Sequence, residues 1–101
     1  MKQIDCTRVY AHTFAEVEYE MGKAPRGTRM IVYVTEAGEY HKLKVGDTLA
    51  FSKKNRQFSS FHKDAGTWLD KNGYEQDGQR LVRDLLDSLH RCGFKFAVTL
   101  E

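Results

Sequence analysis

The 101-residue sequence has little proline, little cysteine and no long apolar run. Its longest apolar stretches fall far short of the ~20 residues that a membrane-spanning helix needs, so we expect no membrane association. Residues 1–6 lack the apolar segment of a secretory signal, which predicts a cytoplasmic location. In that compartment Cys6 and Cys92 are expected to be reduced, and their spacing forms no CxxC redox motif.

The chain also lacks a large excess of charge of either sign, because its net charge is only +2. Hydrophobic residues make up 41% of the chain, and six Phe, five Tyr and one Trp are present. Disordered chains contain far fewer large apolar and aromatic residues. The composition therefore predicts a packed core in a single globular domain over residues 1–101.

The clearest local pattern lies near the C-terminus and predicts a helix over residues 77–92. Its apolar residues recur with helical spacing and form one stripe: Leu81, Val82, Leu85, Leu86 and Leu89. Asp77 is suited to cap the start of this helix, and Gly93 is suited to end it. The next apolar residues alternate as in a half-buried strand: Phe94, Phe96, Val98 and Leu100. We expect this helix and strand to supply about half of the core.

The middle of the chain predicts several strands. Residues 29–35 are rich in β-branched and aromatic side chains on both faces, which indicates a central strand buried on both sides. Residues 42–45 and 48–51 have strand patterns separated by a break at Gly46. Residues 52–56 are expected to form a hairpin tip, with a return strand over residues 57–61.

Two segments leave alternatives open. Residues 13–21 alternate like a strand, but Thr13 and Glu16 form a capping-box pattern and Gly22 can end a helix, so a helix is preferred. Residues 61–73 fit either a helix or a loop ending in a turn at residues 70–73. With a first strand over residues 4–10, the expected fold class is α+β. It has a small antiparallel or mixed sheet of about five strands, with the amphipathic C-terminal helix packed on one face.

No motif for catalysis, metal binding or cofactor binding is present. The sequence has no GxSxG nucleophile elbow and no phosphate-binding glycine loop. Its four histidines, at positions 12, 41, 62 and 90, have no metal-ligand spacing. We therefore predict no catalytic, metal or cofactor residue and favour a protein that is not an enzyme.

The charge distribution gives the best candidate site. Residues 41–64 contain six basic and two acidic residues, and aromatic residues are interleaved with the basic ones. This combination suits nucleic acid, since cations neutralise phosphates and aromatic rings stack on bases. A second basic segment lies at residues 23–29. The predicted binding residues are Lys53, Lys54, Arg56, Lys42, Lys63, Lys23, Arg26 and Arg29.

Plainer interpretations compete with both segments. Phe51, Phe58 and Phe61 are more often core residues, which leaves the lysines on a solvated hairpin tip. Residues 23–29 are also well suited to be a simple connection before the central strand.

The heptapeptide over residues 43–49 resembles a turn and strand found in many small β-barrels, including RNA-binding PUA-like and ASCH-like domains. The likeness covers seven of 101 residues. The G-x-K motif of ASCH domains is not reproduced, because Gly22 and Lys23 are adjacent. The resemblance therefore assigns no family.

Three functions follow from these features. The first is a small binding module that acts on nucleic acid, or on a protein that handles nucleic acid, through the basic and aromatic hairpin. The alternative is an inhibitor or adaptor from a phage or mobile element that binds a host protein, using acidic residues at positions 16, 18 and 20 as well as basic ones. A small enzyme with a scattered site is the third. An exposed edge strand also makes a homodimer possible.

Overall fold

A computed structural model describes residues 2–6, 12–39, 42–53, 65–70, 72, 74 and 80–101. These residues form six strands and two helices, which confirms the α+β class. The strands are β1 (Lys2–Cys6), β2 (Arg29–Glu36), β3 (Thr48–Lys53), β4 (Ala65–Leu69), β5 (Arg80–Leu81) and β6 (Lys95–Leu100). The helices are α1 (Thr13–Lys23) and α2 (Val82–Arg91).

All six strands belong to one sheet, in the order β1-β6-β2-β3-β4-β5. Every neighbouring pair is antiparallel. The prediction that residues 29–35 form a central strand is confirmed, since β2 lies between β6 and β3. The prediction that both of its faces are buried is wrong: Met30, Val32 and Val34 are buried, whereas Tyr33 on the other face is 48% exposed.

The core lies between one face of the sheet and the two helices. Phe14 of α1 stacks on Phe96 of β6 with 6.2 Å between ring centroids, and it meets His90 of α2 edge-on at 5.7 Å. Arg83 of α2 forms an ion pair with Glu18 of α1, and its guanidinium lies 5.4 Å from the Phe14 ring centroid. Both helices therefore cover the same face of the sheet, and no described helix lies on the other.

The C-terminal unit agrees closely with its prediction. The helix stripe and the strand face are buried at Leu85, Leu89, Phe94, Phe96 and Val98, while Leu81 is half-buried. Gly93 ends α2 with a φ of +84°, a value that favours glycine. The Phe94 amide donates to the Leu89 carbonyl, and the Gly93 amide donates to the His90 carbonyl, both at 3.1 Å. This pair of bonds is a Schellman motif.

Helix α2 begins later than predicted, at Val82, because Arg80 and Leu81 pair with β4 as strand β5. The Leu81 amide donates to Asp84 Oδ2 at 3.3 Å, so Asp84 caps the helix. The cap predicted at Asp77 lies outside the described residues.

Helix α1 confirms the preferred interpretation of residues 13–21. Phe14, Val17 and Met21 are buried at helical spacing, so the alternating strand pattern is not used. The N-cap position is His12 and not Thr13, and Gly22 lies inside the last turn.

Strand β4 was not predicted, because residues 65–69 were assigned to a helix or a loop. It pairs with β3 in the register Phe51↔Trp68 and Lys53↔Gly66. The turn predicted after it is present: Asp70 Oδ1 accepts bonds from the amides of Asn72 at 2.8 Å and Tyr74 at 3.1 Å.

The strand predicted over residues 42–45 and the hairpin tip predicted over residues 52–56 both need correction. Residues 42–45 are not part of a strand, and residues 44–47 form a turn in which the Lys44 amide donates to Asp47 Oδ2 at 2.9 Å. Gly46 has a φ of +94° within this turn. Ser52 and Lys53 continue strand β3, because they pair with β2 and β4. The return strand predicted over residues 57–61 lies outside the described residues.

Among the described helices, neither α1 nor α2 is long and apolar enough to cross a membrane.

The close approach of β4 to β3 gives a testable prediction. A Cβ atom at Gly66 would lie 2.2 Å from the Ser52 carbonyl oxygen, whereas a Cβ atom at Gly22 would meet nothing within 4 Å. We expect Gly66→Ala to lower the free energy of unfolding by about 1–3 kcal/mol through overpacking. Gly22→Ala, the matched control in a helix, should leave it unchanged or raise it by up to about 1 kcal/mol. Equal urea midpoints for the two variants would contradict this register.

Candidate functional site: a cationic sheet edge and an open sheet face

Lys53 occupies an unexpected place, because it is only 1% exposed. Its Nζ donates to the carbonyl oxygens of Met21 at 2.6 Å, Gly22 at 3.0 Å and Ala24. These carbonyls lie at the C-terminus of α1, where the helix dipole also favours a positive charge. Lys53 is thus a cap for α1, which corrects its assignment as an exposed phosphate-binding residue.

The physical reason lies in the period of strand β3. Leu49, Phe51 and Lys53 share one face of the strand, and all three are buried. The alternation that buries Phe51 therefore also directs the Lys53 side chain toward the helices. The plainer interpretation of Phe51 as a core residue is confirmed, since its side chain is fully buried.

The segment after α1 is hydrogen-bonded to the ends of two strands, β3 and β6. The Gly27 amide donates to the Lys53 carbonyl at 3.2 Å, and the Lys53 amide donates to the Thr28 carbonyl at 3.0 Å. Arg29 and Glu101 exchange backbone hydrogen bonds at 2.9 and 2.8 Å. The backbone of residues 27–29 is therefore fixed by the ends of β3 and β6.

Three basic residues lie on this segment and at the end of α1 just before it: Lys23, Arg26 and Arg29. We call these three residues the cationic edge. The Lys23 side chain is 55% exposed, pairs with Glu20 at 3.4 Å and lies 4.8 Å from the Tyr19 ring centroid. Arg26 and Arg29 are exposed. The Lys23–Glu20 pair offsets part of the charge of Lys23, so Arg26 and Arg29 supply most of the positive charge of the edge.

The predicted residues Lys54, Arg56 and Lys63 lie outside the described part of the chain, as do Phe58 and Phe61. Strand β3 ends at Lys53 and β4 begins at Ala65, next to the paired residues Lys53 and Gly66. Both ends of the segment 54–64 are consequently joined to the sheet beside the cationic edge. This segment contains three basic residues and one acidic residue.

Lys42 lies at the opposite end of β2. Its turn is bonded there, because the Val34 amide donates to the Asp47 carbonyl at 3.0 Å and the Gly46 amide donates to the Val34 carbonyl at 2.9 Å. Val34 lies five positions along β2 from Arg29, which corresponds to roughly 16 Å. Lys42 is therefore not part of the cationic edge.

The sheet face opposite the helices carries a second feature that the sequence analysis missed. We call it the open face and define it by side chains of the three central strands: Arg29, Ile31, Tyr33, Thr48, Ala50, Ser52, Ala97 and Thr99. Tyr33 is paired with Ala97 on one side and Thr48 on the other. Arg29, Ile31 and Tyr33 are the less buried alternate residues of β2, but the mostly apolar sequence of this strand did not reveal which face is exposed.

The described residues give little support for catalytic chemistry. Both cysteines are free, and burial raises the pKa of the Cys6 thiol to about 12, with smaller contributions from Asp5 and Glu16. Cys6 is therefore protonated and a poor nucleophile near neutral pH. Within the described ranges, no group of three or more His, Cys, Asp or Glu residues is placed to hold a metal ion.

Comparisons with known proteins assign no family to this chain. No family model matches it, and no curated protein or solved structure is significantly similar to it. The chemistry of the cationic edge and the open face is therefore the basis for its functional assignment.

The role of Lys53 can be tested by stability measurements. Lys53→Ala removes the cation that three α1 carbonyls share and leaves those acceptors without it. We expect the free energy of unfolding to fall by about 2–3 kcal/mol. Lys44→Ala, at an exposed position, is the matched control and should change it by less than about 0.5 kcal/mol. Similar urea denaturation curves for the two variants would show that Lys53 is not a structural cap.

Proposed function

We propose that this protein is a small, non-enzymatic nucleic-acid-binding module that contacts phosphates through the cationic edge. The observation that carries the proposal is the grouping of Lys23, at the end of α1, with Arg26 and Arg29 on the connection that follows, whose residues 27–29 are hydrogen-bonded to the ends of β3 and β6. Lysine and arginine neutralise phosphates and release the counterions condensed around them. This term supplies most of the affinity of proteins that bind nucleic acid without strong sequence preference.

Two further features support a phosphate ligand. The guanidinium groups of Arg26 and Arg29 present planar, paired donors that match phosphate oxygens. The sequence of residues 54–64, which lie outside the described residues, contains Lys54, Arg56 and Lys63 against Asp64. The hydrogen-bonded backbone of residues 27–29 lowers the entropy lost when Arg29 engages a ligand.

The alternative of an inhibitor or adaptor that binds a host protein has less support. Its acidic surface depended on Glu16, Glu18 and Glu20. Glu18 forms an ion pair with Arg83, and Glu20 forms one with Lys23, so two of these three acidic residues are paired within the protein. The cationic edge shares the Lys23–Glu20 pair, but its Arg26 and Arg29 side chains are exposed and form no ion pair with a described residue.

The salt dependence of binding tests this proposal. The variant Lys23→Ala/Arg26→Ala/Arg29→Ala should bind a labelled oligonucleotide more weakly than the unaltered protein in fluorescence anisotropy at low salt. If each lost cation contacts one phosphate of a single strand, the slope of log affinity against log salt should decrease in magnitude by about 2.

A matched control removes the same number of charges from the other end of the sheet. Lys44, Arg91 and Lys95 are exposed, and they lie near the turn at Gly46 or the turn at Gly93. Replacing these three residues with alanine should leave the salt slope within error of the unaltered protein. Equal losses in both triple variants, or no binding of the unaltered protein to any oligonucleotide, would overturn the proposal.

A further inference from the structure

We propose that the ligand is a single strand of nucleic acid and that one of its bases stacks on Tyr33 in the open face. This inference rests on the proposed function, because the cationic edge supplies the phosphate contacts from which the strand would cross the sheet. It adds a second contact surface and a class of substrate to that function.

Tyr33 is a large aromatic side chain that is 48% exposed on a central strand of the sheet. Among the described residues, the large apolar or aromatic side chains that are exposed are Tyr19, Tyr33, Val45 and Tyr74. Tyr33 is the one of these that lies on a strand, and that strand is central in the sheet. A half-exposed ring in the middle of a sheet costs hydrophobic free energy that a stacked ligand would recover.

The neighbours of Tyr33 leave room for a planar group. Its cross-strand partners are Ala97 and Thr48, whose side chains are too short to cover a phenol ring. A Cβ atom at Gly46 would lie 3.8 Å from the Tyr33 hydroxyl oxygen, so the ring reaches across the face toward the turn at Gly46. Glycine at this turn keeps that end of the ring free of side-chain cover.

Charge and aromatic character are arranged along one strand. Every second residue of β2 lies on the open face, and these residues include Arg29, Ile31 and Tyr33. The cation of Arg29 lies at the edge, and the Tyr33 ring lies farther in. A rise of about 3.3 Å per residue separates the Cα atoms of Arg29 and Tyr33 by roughly 13 Å. Single-strand-binding proteins combine a cationic track for the backbone with aromatic platforms for the bases.

The charges on the open face indicate which end of it the phosphates of the nucleic acid occupy. Asp5 lies opposite Ala97, and at the far end of the sheet Lys95 pairs with Glu36 at 3.5 Å. Positive charge at the Arg29 end comes from Arg26 and Arg29 and is partly offset by the exposed Glu101, which exchanges backbone hydrogen bonds with Arg29. The rest of the face has the acidic Asp5 and the paired Lys95 and Glu36. Phosphates are favoured at the cationic edge, and uncharged bases are favoured over Ile31 and Tyr33.

A duplex does not fit this arrangement. Its bases are already stacked on one another, so they offer no free ring face to Tyr33. A flat sheet surface of small side chains such as Ala50 and Ala97 also has no element that enters a groove and reads base edges. The open face should therefore discriminate in favour of single strands.

The test compares Tyr33→Ala, Tyr33→Phe and the control Tyr74→Ala, whose side chain is 70% exposed after β4. Binding is measured by fluorescence anisotropy with a labelled single strand and with the duplex of the same sequence. Tyr33→Ala should weaken binding of the single strand by roughly 5- to 150-fold, the range found when a stacking aromatic residue is removed. Tyr33→Phe keeps the ring and should stay within about twofold, as should Tyr74→Ala.

The outcomes separate this inference from the proposed function. If the cationic-edge triple variant loses affinity while Tyr33→Ala and Tyr74→Ala behave alike, or if the duplex binds as tightly as the single strand, the inference fails and the proposed function stands. If the triple variant binds as the unaltered protein does, the proposed function fails first. A loss in Tyr33→Phe as large as that in Tyr33→Ala would assign the effect to the hydroxyl and overturn stacking.

Discussion

The buried ammonium of Lys53 connects the helical layer to the end of the sheet. Taking such an ion out of water costs several kcal/mol, and here that cost is offset by three carbonyl oxygens at the C-terminus of α1. The interaction fixes the point at which the chain leaves α1. It thereby determines the path of residues 24–28, which bond to both the amide and the carbonyl of Lys53. The buried cation of Lys53 thus positions the segment that carries the exposed cations of Arg26 and Arg29.

The arrangement of layers places the residues that stabilise the fold on one face of the sheet and those that we propose to bind nucleic acid on the other. Helices α1 and α2 bury Phe14, Val17, Leu86 and Leu89 against one face of the sheet. The other face has no described helix on it, and its central strand presents Arg29, Ile31 and Tyr33 in a row. We expect substitutions in the helical layer to act on folding and substitutions along this row to act on binding.

Local patterns were enough to predict the parts of the fold that local physics determines. Three such features depend only on residues close together in the sequence: the apolar stripe of α2, the alternation of β6 and the glycine that ends the helix. Strand β4 and the cap at Lys53 were beyond that reach, because both depend on partners far along the chain, such as Gly66 opposite Lys53. The same limit affected the site: residues 23–29 were identified as a basic loop, but only the sheet register places Tyr33 on an exposed face and separates Lys42 from the other cations.

The most direct test of this account is an NMR titration that follows methyl groups on the two faces of the same sheet. A single-stranded oligonucleotide should shift the methyl signals of Ile31, Ala50 and Ala97 in the open face. The signals of Val32 and Val98, on the adjacent positions that face the helices, should move much less. Shifts confined to the helical side, or no shifts at an oligonucleotide concentration that saturates binding, would contradict recognition through the cationic edge and the open face.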